Sequence, residues 1–168
     1  MTSLEAGTQP ENPLAKGDRC PTVQLDSHRG PRVEIGSMDQ PMLLVFVPAA
    51  YTPVCGSELD ELLELVPRAE EAGVQLAIAS CDSTATLASW LDAHGASERV
   101  LGLSDFWPHG DAARAFGIFD EHSGQPKRYS FAITRDGVIA DVAWAFPGDA
   151  RPLAHHARLL RRVRAAGA

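Results

Sequence analysis

Residues 42–59 read MLLVFVPAAYTPVCGSEL, and the way the chain passes from Met42 to Leu59 decides the fold. "MLLVFV" (42–47) is an unbroken apolar run of strand length, which suits a strand covered on both faces. Threonine followed by proline then opens a helix, with Thr52 as N-cap and Pro53 at N1. Leu59, Leu62, Leu63 and Val66 continue it as the i, i+3, i+4, i+7 stripe of an amphipathic helix. Pro67 is expected to kink or interrupt this helix and Gly73 to end it. Cys55 falls at N3, its sulfur displayed at the mouth of the helix.

Working outward, "TVQL" and "RVEI" alternate in polarity around "DSHRGP", which reads as an N-terminal β-hairpin. "VQLAIAS" (74–80) is a second buried strand, and Asp82 or Ser83 caps a helix running through Leu87, Trp90 and Leu91 to Gly95. "VLGLSD" is a short strand and "DAARAFG" a short helix ending at Gly117. "YSFAITRDGVIADVAW" carries Asp136-Gly137 between two apolar runs, a strong hairpin signal. Asp149 is expected to cap a last helix, "RPLAHHARLLRRVRAA", with Pro152 in its first turn. Strand–helix alternation gives a parallel centre and the late hairpin adds antiparallel strands beside it. The expectation is an α/β fold, a thioredoxin-like mixed sheet flanked by helices. Residues 1–13 read as a disordered N-terminal tail and residues 14–168 as one domain.

A net charge of −7 argues against a general nucleic-acid partner, because phosphate binding needs a basic surface. Arg158, Arg161, Arg162 and Arg164 oppose the negative end of the last helix and read as solvated charge. The first residues lack the basic and apolar regions of a signal peptide, and no apolar run could span a membrane. Three cysteines without framework spacing suggest a reducing, cytoplasmic setting. The six histidines form no ligand set; His155 and His156 are adjacent and point apart on a helix, so no metal site is expected.

Cys55 is where the chemistry concentrates. At N3 a capping box would carry Glu or Gln; here a thiol takes its place, beside the Thr52 hydroxyl. Free amides and the helix dipole favour negative charge in the first turn, so the position favours thiolate, the reactive form. Pro48 and Pro53 fix the backbone on either side and remove two amide hydrogens.

Pro48, Thr52 and Cys55 reproduce Pro-x-x-x-Thr-x-x-Cys, which resembles the active-site signature of the peroxiredoxins, and Glu58 matches a glutamate one turn later. "GDRCPTVQL", "AIASCDS" and above all "LSDFWPHGDAARAFGIFDEHSG" extend the likeness from about Gly17 over nearly the whole domain. The last of these is similar to the one-cysteine alkyl hydroperoxide reductase E group of actinobacteria. The resemblance implies a thiol-dependent peroxidase, reducing hydrogen peroxide and organic hydroperoxides through a Cys55 thiolate that becomes sulfenic acid. Arg128, in "PKRYSFAITRDG", takes the place of the arginine that the family sets beside the thiolate, and Arg135 belongs to the turn. Thr52 and Arg128 would hold the peroxide oxygens, with Pro48 and Glu58 in support. No metal, haem or flavin is called for.

Departures from the pattern are Gly56, where many relatives have proline, Tyr51, where phenylalanine is common, and Asp60, where one subfamily has a resolving cysteine. No cysteine follows Cys81. The resemblance to the one-cysteine group implies an external low-molecular-weight thiol, or a glutaredoxin- or thioredoxin-like partner, as the favoured reductant, with Cys81 as the alternative resolving thiol. Cys20 reads as a packing residue. In the family that the chain resembles, the segment of the consecutive aromatics Phe106 and Trp107 lies near the dimer contact, which implies a homodimer interface there, and His109 reads as part of that contact or of the rim of the site. The competing function is a peroxide sensor that keeps oxidised Cys55 as a signal without efficient turnover.

Overall fold

The computed structural model describes residues 12–166. A seven-stranded mixed sheet is built from β1 (Val23–Ser27), β2 (Arg32–Ile35), β3 (Met42–Phe46), β4 (Gln75–Ser80), β5 (Leu101–Ser104), β8 (Tyr129–Ile133) and β9 (Ile139–Trp144). Between β5 and β8 lie β6 (Phe119–Asp120) and β7 (Gln125–Pro126), a separate two-stranded hairpin. The helices are α1 (Pro53–Ala72), α2 (Thr84–Ala93), α3 (Asp111–Ala115) and α4 (Leu153–Ala166). Strand order is β2-β1-β5-β4-β3-β8-β9; β3, β4 and β5 run parallel, and an antiparallel hairpin flanks them on either side. This is the thioredoxin-like mixed sheet, with its N-terminal hairpin, that the sequence leads one to expect.

β3 is buried along its whole length because both its faces are covered. Leu43 and Val45 face the core formed with Leu59, Leu62 and Val66 of α1, Leu87 and Trp90 of α2, and Leu159 and Val163 of α4. Leu44 and Phe46 face the opposite core, with Ala112, Phe116 and Phe131. The sheet therefore separates two apolar layers.

Four expectations need correcting or extending. Pro67 does not break α1: the helix runs through it to a left-handed Gly73. Pro67 lies on the exposed side, and burial of Leu62, Leu65, Val66 and Ala69 on either side of it holds the helix together. Asp149 does not cap α4; its amide donates to Phe146 in a turn, and the helix begins only after Pro152. A residue preceding proline is disfavoured in helical geometry, which keeps Arg151 outside the helix. The β6–β7 hairpin had no strand signal, since Pro126 reads against a strand. Residues 1–11 of the expected N-terminal tail lie outside the described residues; Leu14, the first residue of the expected domain, donates its amide to the Phe116 carbonyl at 3.0 Å.

Candidate active site

β3 ends at Phe46, and residues 47–52 carry the chain to the first turn of α1. The Asp82 carboxylate, just past β4, pins this loop by accepting from the Ala50 amide at 2.8 Å and from the Ser80 hydroxyl at 2.6 Å. Tyr51 adopts a left-handed conformation (φ 63), unusual for a residue with a side chain. Its hydroxyl pairs with that of Ser89 on α2.

Thr52 is the N-cap in backbone terms, extended at φ −96, ψ 148, but its side chain does not cap. The hydroxyl donates instead to the Ala49 carbonyl at 3.1 Å, brought within reach by the left-handed turn at Tyr51. This departs from the expectation of a hydroxyl set against the sulfur. A consequence is an open helix end: Pro53 has no amide hydrogen, and the first helical bond is Gly56 N–H to Thr52 C=O at 2.9 Å. The amides of the first turn stay free for an anion.

Cys55 is fully buried, at 0% exposure, rather than displayed. The Arg128 Nη2 donates to its sulfur at 3.3 Å. Arg128 directly precedes β8, and its Nη1 donates to Glu58, one turn beyond Cys55 on α1. Glu58 is itself buried and clamped from the other side by Arg151, whose Nε and backbone amide reach Oε2 at 2.7 and 2.8 Å and whose Nη2 reaches Oε1 at 2.9 Å. Burial alone would lift the Glu58 carboxyl, but Arg151 first and Arg128 second hold it below the usual carboxylate range. One carboxylate thus fixes two guanidiniums. Arg128 keeps one further N–H, at Nε, buried and without a partner among the described residues.

Pro48 and Arg128 also line a cleft of about 390 Å³, whose walls include Tyr129, Trp144 and Phe146. Tyr129 stacks on Trp144 and Trp144 meets Phe146 edge to face, so part of the wall is a run of aromatic rings.

The sequence reading thus brings Cys55, Arg128, Glu58 and Pro48 together and leaves Arg135 exposed in its turn. It gives no role to Arg151, which it reads only as the first residue of the last helix. A signal was there: Glu58 precedes Leu59 on the buried stripe of α1, and a buried carboxylate needs a cation beyond one already given to the thiol. Cys81 lies apart. It is buried near Asp105, Gly110 and Arg114, and burial, then the Asp105 charge, pushes its thiol up to about 12. Its neighbourhood is that of α3, which packs on the other apolar layer from Cys55. Cys20 is buried too, with its thiol pushed up to about 12 by burial. His109 donates from Nε2 to the Gly124 carbonyl at 2.7 Å and packs on Phe119, so it braces the β6–β7 hairpin. No group of three His, Cys, Asp or Glu side chains could hold a metal among the described residues, and no helix described is long and apolar enough to cross a membrane.

A thioredoxin-like sheet, a lone cysteine in an open first helical turn, and an arginine on its sulfur define a thiol peroxidase site. The chain belongs to the AhpC/TSA family, the peroxiredoxins, which it matches over residues 16–142. It is 36% identical over 110 residues to alkyl hydroperoxide reductase E of Mycobacterium tuberculosis, spanning 66% of this chain and 71% of that one. Alkyl hydroperoxide reductase C of Bacillus subtilis is 31% identical over 124 residues, 72% of this chain and 63% of the relative. Among solved structures, peroxidoxin BcpB from Mycobacterium tuberculosis superposes with a TM-score of 0.77 at 25% identity, covering 92% of this chain and 99% of the other. Enterococcus faecalis AhpC gives the same TM-score and identity, covering 88% and 90%.

Proposed function

We propose that this peroxidase works through Cys55 alone and is recycled by an external thiol. The observation that carries the reading is the Arg128 guanidinium 3.3 Å from the Cys55 sulfur at an uncapped helix start. The Cys55 thiolate attacks the terminal oxygen of ROOH in line with the O–O bond. An S–O bond forms, the O–O bond breaks, and the leaving RO⁻ takes up a proton to depart as alcohol or water. Cys55 is left as sulfenic acid.

Charge grows on the leaving oxygen, and the free Arg128 Nε–H and the first-turn amides are fixed donors available to it. Thr52 joins them by turning its hydroxyl from Ala49 to the peroxide. The organic part of ROOH lies along Trp144 and Phe146, while hydrogen peroxide needs only the Arg128 end of the cleft. One external thiol then condenses with the sulfenic acid, releasing water, and a second releases Cys55 as a mixed disulfide is exchanged. The reductant is a low-molecular-weight thiol or a glutaredoxin- or thioredoxin-like protein. Cys81, protonated, beside Asp105 and Gly110 and outside the core cluster that holds Cys55, does not resolve. We place the cycle in a reducing compartment, the cytoplasm, with the protein a homodimer.

Peroxide consumption with an added thiol, and mass spectrometry after one equivalent of peroxide, test this together. Cys55→Ser should abolish turnover, whereas Cys81→Ser and Cys20→Ser keep it. Wild-type protein should hold a dimedone-trappable sulfenic acid on Cys55. A rapid Cys55–Cys81 disulfide, lost together with turnover in Cys81→Ser, would overturn the external route.

A further inference from the structure

Behind the arginine pair the buried hydrogen bonds continue. Arg151 Nη1 donates to the Ser130 hydroxyl oxygen at 3.0 Å, and that oxygen is 2.7 Å from His156 Nε2. Ser130, Arg151 and His156 are all at most 1% exposed, so water supplies none of the missing partners. A guanidinium only donates, so the Ser130 oxygen accepts from Arg151. The Ser130 oxygen has a second lone pair, but its single hydrogen finds an acceptor between these two neighbours only if His156 Nε2 is bare, which places the ring proton on Nδ1.

We propose that His156 is a positioning residue for the peroxidase site: as a neutral imidazole it holds the Ser130 hydroxyl so that its lone pair faces Arg151. Arg151 in turn clamps Glu58, and Glu58 holds Arg128 on the Cys55 sulfur. Without an acceptor at position 156 the hydroxyl is free to rotate, its hydrogen competes with Nη1, and the clamp loosens.

The charges around the ring agree with a neutral form. Arg151 before α4 and His155 on its own helix oppose protonation, Glu58 on α1 favours it, and Ser130 on β8 is uncharged. Burial, first of these influences, pushes the imidazole down to about 3. A charged ring would also have to donate from Nε2, leaving the Ser130 hydrogen with no acceptor.

The inference rests on Cys55 as the thiol that is oxidised. Nitrogen-15 NMR of histidine-labelled, reduced whole protein reads the tautomer without any substitution. The expected result is an Nδ1-protonated, Nε2-bare ring for His156 between about pH 5.5 and 7.5. An Nε2-protonated or doubly protonated ring in that range overturns the inference. Stopped-flow oxidation of Cys55 gives the functional arm. His156→Leu should react roughly tenfold more slowly across the pH profile, and His156→Gln, which keeps an acceptor, should recover to within about threefold of wild type. A residue that only fills space would lower thermal stability and leave the rate of the folded protein unchanged. That outcome, with wild type reacting at Cys55, sinks the role of His156 alone. Wild-type protein that consumes peroxide without oxidising Cys55 sinks the proposed function instead.

Discussion

Arg128 and Arg151 share the Glu58 carboxylate, yet they stand at different distances from the chemistry. Arg128 touches the sulfur and keeps a free Nε–H, so under the proposed mechanism its loss removes a donor that acts on the transition state. Arg128→Ala is expected to slow Cys55 oxidation by roughly a hundredfold to a thousandfold, the range for removing one preorganised donor. Arg135→Ala, in an exposed turn, should change the rate little. Stopped-flow measurement of both decides it, and equal effects would remove Arg128 from the site. Arg151 touches no reacting atom, and its removal leaves the buried Glu58 carboxylate with Arg128 as its remaining cation, so the loss of stability stays below the roughly 3–5 kcal/mol of a fully unpaired buried charge. The nearness of Cys55, Pro48 and Glu58 was legible because they sit within one short motif whose spacing carries its own geometry; Thr52 shares the motif, but its hydroxyl turns to the Ala49 carbonyl. Arg151 was not legible, because it meets Glu58 from 93 residues away and nothing local marks it. The thiol's burial was equally hidden: the helix position predicts an open first turn, but the burial comes from long-range packing, with Arg128 on the sulfur and Cys55 within the core cluster of α1, α2 and α4.

Elements were read correctly where a short-range period or turn decides them. β3 and β4 are continuous apolar runs, and the β8–β9 hairpin follows from Asp136-Gly137, with Gly137 at φ 81. The reading failed where long-range packing overrules a local preference. At Pro67 the sequence rule predicts a break, because proline lacks the amide and crowds the preceding turn. α1 persists because Leu62, Leu65, Val66 and Ala69 are buried on both sides of the proline, while Pro67 itself faces out. That leaves a measurable cost in the native state. Pro67→Ala should raise the unfolding free energy by about 1–3 kcal/mol, since Ala restores the amide and relieves the clash. Urea denaturation monitored by circular dichroism checks this. An unchanged or lower midpoint would mean that the proline is already accommodated at no cost.

At the scale of the whole molecule, two features remain exposed to test. Trp107 is 78% exposed and Phe106 54%, an adjacent aromatic pair at the surface that suits an interface core. Sedimentation should find a dimer, and Trp107→Ser should shift it toward monomer; a wild-type monomer would refute this contact. The second feature is how stability responds to pH, where two buried groups pull in opposite directions. His156 has an ordinary value of 6.5 and is pushed down to about 3, chiefly by burial. As pH falls below 6.5 the unfolded chain gains a proton that the native state refuses, so stability is lost progressively toward pH 3. Asp105, which accepts from the Ala112 and Ala113 amides, is raised by burial from 3.8 to about 6. Its native form binds the proton first, so its contribution is full below 3.8 and disappears as pH rises through about 6. Over the interval where both titrate, acidification costs stability at His156 and returns some at Asp105, which leaves a shallow net dependence. Glu58, held below its usual range by Arg151 and Arg128, adds a loss only at lower pH still. Removing the histidine should unmask the opposing group. His156→Gln is expected to gain stability relative to wild type steadily as pH falls from about 6.5 to 4.5, because it no longer carries the histidine loss. Urea midpoints of the two proteins across that range measure the difference, and curves that run parallel would show that His156 is not buried in its neutral form.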